Sequence, residues 1–581
     1  MSTPRSLRPR HRLRLLVAAL GVALGVESNA AELDVRIEPG NRALRENVEN
    51  YIGDLGDRDA EELLRYSRIA EQQAIKALQA LGYYQPTIDS EITEGENPTL
   101  VLDIQPGEPV RLRDIAVKVE GPAASFERFE VPRDLLTEGE VLDHGEYEAV
   151  KQRLQNQASR YGYFDARFTR QRLLIDPEAG TADVELTFTS GPRYRLGEVT
   201  FQGDAPFDDR LLQRMVPFDS GVPYDSELIA ELSRNLQASG YFDGVRVDVD
   251  PAKASGEVLP VTIHLAAREP RTFGLGLGYS SDVGPRMRFE WTRHWVNPQG
   301  HSYGIDAELS APRQNVGAWY EIPLDPPLTD QFRFAGGYQY EEIAGTDTLS
   351  RLLRVGPEWH SQLDSGWDRV ISLKWQREEY RLGDDSGLST LLLPGVAFSY
   401  LESDNAIDPN EGYHIRFELA AAKEGLLSDA DLIHSNLMLR GLTTLWDDHR
   451  FLGRLQLGAN ITDEYTQVPP SLRYFAGGGQ SVRGYEYQHL SPTNSDGDRI
   501  GGRYQVVVSA EYQYSINDRW RIATFIDQGN AFNSLSEPDP HTGVGIGLRW
   551  VSPVGPLRLD LAHALDGDGG FQFHFSMGPE L

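Results

Sequence analysis

The chain has 581 residues, with 87 Asp and Glu against 56 Lys and Arg, a net charge of −31 and no Cys. That length exceeds what one hydrophobic core can organise, so several domains are expected. The acidic balance repels phosphate backbones and excludes nucleic acid as a partner, and the absence of Cys excludes disulfides and thiolate chemistry.

Residues 1–30 read as a signal peptide. Arg5, Arg8, Arg10, Arg12 and Arg14 form a basic start, Leu15 to Val26 is an apolar run, and Ser28-Asn29-Ala30 offers small residues for cleavage. The run is too short to cross about 30 Å of hydrocarbon as a helix, the alternative being an uncleaved anchor. No Cys follows to carry a lipid. Removing the leader leaves 51 basic against 86 acidic side chains, a net charge of −35. Beyond it no run of eighteen apolar residues occurs, so no transmembrane helix is expected. A membrane barrel stays open, because it hides its apolar face in alternation.

From residue 31 to about 269 one phrase recurs: "LGYYQP" at 81–86, "YGYFDA" at 161–166 and "SGYFDG" at 239–244. Gly82, Gly162 and Gly240 lie 80 and 78 residues apart, a spacing that suits a small domain copied three times. Each copy opens with a short strand ("LDVRIEP", "RDIAVKVEG", "LGEVTFQGD"), passes through a helical region into the phrase, and closes with two alternating strands. Leu228, Leu232 and Leu236 form an i, i+4 stripe running into Gly240, where a helix stop requires positive φ. The following aromatics are expected to plug the small core, with ligand binding the alternative. The copies span 31–108, 109–193 and 194–269, all α+β.

From 270 to 581 the period becomes two. In "FGLGLGYS", Phe273, Leu275, Leu277 and Tyr279 share a face opposite Gly274, Gly276 and Gly278. "RMRFEWTRHW", "YGIDAELS", "YHIRFELA", "RLQLGANI" and "FQFHFSMG" alternate similarly. Aromatic faces opposite charged faces predict a transmembrane antiparallel β-barrel with a wet lumen; a soluble sandwich would bury its large aromatics. At about ten residues per strand plus loops, roughly sixteen strands fit, with fourteen or eighteen open by counting.

The segment "RYFAGGGQSVRGYEYQ" (473–488) is neither a phosphate loop, lacking Gly-Lys-Ser/Thr, nor a nucleophile elbow. Downstream, Glu511 shares the polar face of its strand with Ser509 and Gln513, while Phe525, Asp527 and Gly529 share a face in "FIDQGN". An Arg on a loop facing two carboxylates invites a bidentate ion pair, and spacing alone equally allows unrelated solvated charges. "NSDGD" (494–498) has Arg499 where a calcium loop needs Gly, so a polar turn is expected. The thirteen His show no His-Glu-x-x-His spacing, and no metal, cofactor or enzyme activity is expected.

"SVRGY" (481–485), "FIDQG" (525–529) and "GLRWVSPVGPLRLDLA" (547–562), with the three-copy unit, resemble the POTRA-domain outer-membrane assembly superfamily, which includes BamA, TamA and two-partner secretion transporters. The likeness covers essentially the whole mature chain and reads the copies as POTRA domains of strand–helix–helix–strand–strand plan. Three copies and the ending "FSMGPEL" are most similar to the TamA branch. The resemblance implies outer-membrane localisation with periplasmic POTRA domains, and a lumenal loop motif of Ser481, Val482, Arg483, Gly484 and Tyr485. Arg483 would meet the acidic partners Asp527 and Glu511, with Phe525 and Gly529 completing the barrel motif. It also implies a lateral gate between the first and last strands, at Phe273, Gly274, Leu275, Gly276, Leu277 and Gly278 against Phe571, Phe573 and Phe575. Glycines weaken the first strand, or they relieve crowding in the lumen. The implied work is insertion and translocation of autotransporter-type clients in outer-membrane lipid, with an inner-membrane-anchored TamB-like partner docking at POTRA 1. The alternatives are a BamA-like general insertase, a two-partner secretion pore, or a conduit for phospholipid.

Overall fold

The computed structural model describes residues 31–578 except 96, 205, 344–347, 384, 553–554 and 567–569. The leader expected at 1–30 and the terminal Pro579-Glu580-Leu581 lie outside them. The chain divides into two compact units: residues up to Tyr194 with Pro223–Asp225, and Arg195–Val222 with Ser226–Leu581.

The first unit holds two of the repeats. The first comprises β1 (Glu32–Ile37), α1 (Arg42–Ile52), α2 (Ala60–Ala80), β2 (Thr87–Thr93) and β3 (Thr99–Gln105). β3 is central, parallel to β1 and antiparallel to β2. Asn41 caps α1, and Asp59 with Glu62 forms a reciprocal capping box on α2. Leu63, Ala70, Ala74, Ala77 and Leu78 turn the buried stripe of α2 onto the sheet.

The second repeat comprises β4 (Arg111–Glu120), α3 (His144–Tyr161), β5 (Arg167–Asp176) and β6 (Thr181–Thr189), with β6 central. It departs from the two-helix plan. Where the first helix is expected there is a single 3₁₀ turn at Pro122–Ser125, introduced by Gly121 at φ 90°. Gly121-Pro122 and Pro132 break helical continuity there, and Ala123 and Phe129 fill the core in its place.

The recurring phrase stops each helix as expected: Gly82, Gly162 and Gly240 have φ of 88°, 80° and 73°. It also makes a joint. The Gly82 carbonyl accepts from Val110 N–H at 2.9 Å, and a Cβ at Gly82 would lie 2.5 Å from the Leu142 carbonyl oxygen in the second repeat. The aromatics pack: Tyr163 is buried edge-on against Phe129. Tyr84 meets His144 Nε2 across the joint.

The second unit begins with the third repeat: β7 (Arg195–Asp204), α4 (Asp209–Gln213), α5 (Ser226–Ala238), β8 (Phe242–Val249) and β9 (Val258–Ala267), with β9 central. Its phrase reaches the barrel. The Tyr241 hydroxyl donates to the Gly300 carbonyl at 2.8 Å, and Phe207 packs against both Tyr241 and Trp295.

Sixteen strands follow in a meander, each antiparallel to its chain neighbour. The first is Arg271–Ser280 and the second Gly284–Arg293; the seventh is Asp368–Leu382, the tenth Leu432–Leu445 and the eleventh His449–Ile461. The twelfth to sixteenth are Tyr504–Asn517, Trp520–Phe532, His541–Ser552, Gly555–Ala564 and Phe571–Met577. The count of about sixteen is met, and the sheet curls into a nearly closed barrel. Phe289, Ile305, Val316, Phe334 and Leu353 are exposed on its outer face, a girdle suited to hydrocarbon and not to water.

The repeat joint should respond to pH. Burial lowers the His144 pKa, against the opposing charges of Asp143 and Glu148, and pushes Tyr84 up to about 12. The ring is held neutral, so an undocked chain takes up a proton more readily. Joint stability is complete above the ordinary His value of about 6.5 and falls as pH drops below it. Proteolysis within 106–110 of the full chain should rise from about pH 7.5 to about pH 5.5 relative to His144→Gln; parallel profiles would refute this.

Candidate functional site

Between the eleventh and twelfth strands the chain makes an excursion, residues 462–503, that touches opposite walls. Ser471 N–H and hydroxyl donate to Glu378 on the seventh strand, the former at 3.2 Å. The Tyr474 hydroxyl donates to Ser435 O on the tenth at 2.6 Å. Arg454 of the eleventh donates to the carbonyls of Gln480 and Ser481. A segment meeting walls so far apart in strand order lies inside the barrel.

Its tip carries Ser481-Val482-Arg483-Gly484-Tyr485. Ser481 Oγ accepts from Gly477 N–H at 3.2 Å, bracing the glycine run. Val482 is fully buried among Ala476, Tyr485, Leu490, Val507 and Ala564. Gly484 has φ 98°, and an added Cβ would lie 2.9 Å from Ala564 N, so only glycine fits. The Tyr485 hydroxyl donates to Asp566 O at 2.7 Å.

Arg483 is the centre of the site. Its Nε and Nη2 donate to the two oxygens of Asp527 at 2.6 and 2.9 Å, and its backbone N–H reaches the same carboxylate at 3.1 Å. Nη1 donates to Glu511 at 2.6 Å and lies 3.4 Å from Asp560. The guanidinium carbon stands 3.4 Å over the Phe525 ring. Gly529 lies further along the inward row of Phe525 and Asp527, where a Cβ would come 2.4 Å from Val506 O. Thus the structure joins Arg483 to both acidic residues singled out from the sequence.

Two members were not anticipated. Arg549 donates to Glu511 at 2.7 Å and to Asp560 at 2.6 Å, closing a ring of two guanidiniums and three carboxylates. Arg483, Arg549, Asp560 and Asp527 are buried, Asp527 completely, and the Glu511 side chain is 9% exposed. The period-two pattern of "LRLDLA" does put Asp560 on a polar face, but only the strand register brings Arg549 opposite Arg558 and next to Asp560. Such charges survive burial because every one is paired. The 494–498 segment is a turn closed by Asn494 N–H to Asp498 O at 2.9 Å.

The barrel's ends meet differently from its other junctions. All fifteen neighbouring pairs form ladders, but among the described residues no ladder joins the first and sixteenth strands. Ser281 N–H donates to Phe575 O at 3.1 Å, Phe575 N–H reaches Ser281 Oγ at 3.3 Å, and the rings of Tyr279 and Phe575 lie 5.7 Å apart. Phe273, Leu275 and Leu277 are 72%, 73% and 73% exposed, and Phe571 and Phe573 are exposed across the gap. The loop stitches this place. Gly484 N–H donates to buried His574 Nε2 on the sixteenth strand at 3.1 Å, and Gly479 N–H donates to Asp282, beyond the first strand, at 3.1 Å. Asp282 stands 3.8 Å from His574 Nδ1.

A family model described as the Omp85 superfamily domain matches residues 269–580. The chain belongs to the Omp85 superfamily. A model for POTRA domain TamA domain 1 matches 34–106, and the POTRA model, described as surface antigen variable number repeat, matches 115–191 and 194–268. The protein is thus an outer-membrane barrel with periplasmic POTRA domains. Among its relatives, outer membrane protein assembly factor BamA of Neorickettsia risticii is 25% identical over 424 residues, covering 67% of this chain and 55% of that protein. BamA of Neisseria meningitidis is 21% identical over 570 residues, covering 83% and 68%. The chain spans about half the length of the first of these. The crystal structure of Haemophilus ducreyi BamA lacking POTRA domains 1–3 superposes with a TM-score of 0.68 at 16% identity, covering 81% of this chain and 99% of that one.

Arg483→Ala leaves three buried carboxylates to a single guanidinium and should cost about 3–5 kcal/mol. Arg483→Lys keeps the charge but loses the fork, and should fall between. Heat-induced loss of the compact gel band in detergent measures both, and an unshifted Arg483→Ala midpoint would show that the ring contributes nothing.

Proposed function

We propose that this chain assembles outer-membrane proteins, inserting and translocating autotransporter-type clients by strand templating at the seam between its first and sixteenth strands. The observation that carries this reading is the missing ladder: backbone groups of Arg271–Ser280 face the gap with a single neighbouring strand. In hydrocarbon an unpaired edge is costly, so a client strand that pairs there gains hydrogen bonds it could not make alone. Backbone pairing tolerates many client sequences. Crowding does not account for all the glycines. A Cβ at Gly274 or Gly276 would lie 3.4 or 3.6 Å from the nearest atom, ordinary room, and only Gly278 is tight, against the movable Arg286 side chain. Their remaining effect is to weaken the strand.

The match of residues 34–106 to a TamA first-domain model supports the autotransporter reading, with a TamB-like inner-membrane-anchored partner at POTRA 1. The names of the BamA relatives favour a second reading, a general insertase. In this reading no covalent chemistry is involved; the protein supplies an edge and a sheltered place.

With no native Cys, Tyr279→Cys with Phe575→Cys should oxidise to a disulfide across the seam. In proteoliposomes the locked protein should lose insertion of a client autotransporter, and reductant should restore it. Full activity in the locked form would rule out the gate, and equal activity toward a porin client would move the assignment to the general insertase. His574→Ala removes the acceptor of the Gly484 N–H and should speed this disulfide several-fold, whereas His574→Gln should keep the slower rate. Equal rates in all three would deny the loop a part in closing the seam.

A further inference from the structure

Beside the Arg483 ring the inner wall carries positive charge that the ring does not use. Arg440 on the tenth strand and Arg454 on the eleventh are directly opposite in the ladder. Like charges so placed repel and destabilise a sheet. Both line one cavity with Arg558 of the fifteenth strand, Gln480 of the loop, Ser509, and Ser576 of the sixteenth strand. Glu511 and Asp560 also line it, but their oxygens are engaged by Arg483 and Arg549. Arg454 spends Nη1 and Nη2 on loop carbonyls, and its Nε is buried without an acceptor. The Nε of Arg440 is also buried without an acceptor, and Arg440 makes no ion pair among the described residues. A strongly acidic chain has thus gathered guanidiniums where carboxylates would have been easy to supply.

We propose that this cavity is a binding site for a phosphate-class oxyanion, held by Arg440 and Arg454 with Arg558 facing them. Guanidiniums present paired N–H groups matched to tetrahedral and planar oxyanions, and an anion between Arg440 and Arg454 converts their repulsion into two attractions. The cavity measures about 70 Å³. One water needs roughly 10–15 Å³ on that measure, so the space admits one phosphoryl group and excludes an acyl chain. Because Arg454 also grips Gln480 and Ser481, the bound anion is coupled to the loop that carries Arg483. Because Ser576 of the last strand forms part of its wall, the site lies beside one edge of the seam, and the phosphate can come from a free ion or a lipid headgroup. This goes beyond the assembly reading and does not depend on it.

The test uses the purified full chain in a zwitterionic detergent without added lipid. Inorganic phosphate replaces chloride at constant ionic strength, and the midpoint of heat-induced loss of the compact gel band is followed. A binder of the folded state raises that midpoint saturably with concentration. In a parallel arm, micelles doped with phosphatidylglycerol are compared with micelles doped with phosphatidylcholine. A saturable rise with free phosphate assigns the site to a small ion; a rise with phosphatidylglycerol alone assigns it to a lipid headgroup. Arg440→Gln should abolish either response and be no less stable than the parent in chloride, since it removes a repulsion. Arg440→Met, which keeps the stem volume, serves if Arg440→Gln does not fold. No saturable response in either arm of the parent protein overturns the proposal, and so does a response that survives loss of the Arg440 charge.

Discussion

Backbone amides and carbonyls that face hydrocarbon must find partners, and this requirement organises the molecule. Fifteen of the barrel's junctions meet it with ladders. Among the described residues the sixteenth shows no ladder, and there closure falls to a few contacts around Ser281 and Phe575 and to the loop inside. A uniformly sealed barrel would be more stable. On the gate reading, a seam held partly through an internal loop can be closed at rest and reopened once the Gly484–His574 and Gly479–Asp282 contacts and the few direct ones are given up.

The buried charges serve that intermediary. Arg483 fixes the loop tip through a bidentate pair with Asp527, two further carboxylates and an aromatic face. Charges taken out of water stabilise little on balance, but a mispaired arrangement is heavily penalised, so such a ring selects one position for the tip. From that position Gly484 reaches His574 and Gly479 reaches Asp282. The ion pairs therefore act on the seam at one remove, as the anchor of the stitch.

Much of the architecture was legible in the sequence because it rests on local periodicity. Alternation from Arg271 onward marks the strands, and the Gly-Tyr-aromatic phrase marks each helix end. Arg483, Glu511 and Asp527 are reached through the resemblance of "SVRGY" and "FIDQG" to the superfamily's motifs, since spacing alone equally allows unrelated solvated charges. What stayed hidden depends on register and closure. Arg549 closes the ring only because the fourteenth and fifteenth strands pair as they do. His574 and Asp282 lie far apart in the chain and meet only when the sheet curls. The phrase glycine at 82 serves as a joint as well as a helix stop, which requires knowing what the second repeat brings against it. The second repeat departs from the shared plan for a different reason: Gly121-Pro122 and Pro132 break the first helix locally, which likeness among the three copies does not convey.

The excursion through the interior has an electrical consequence. Sixteen strands enclose enough space for an aqueous channel of porin type. Here residues 462–503 occupy it, pinned to walls as distant as the seventh and thirteenth strands. The excursion narrows that space, and a step in ionic current across a bilayer would report its departure from its seat.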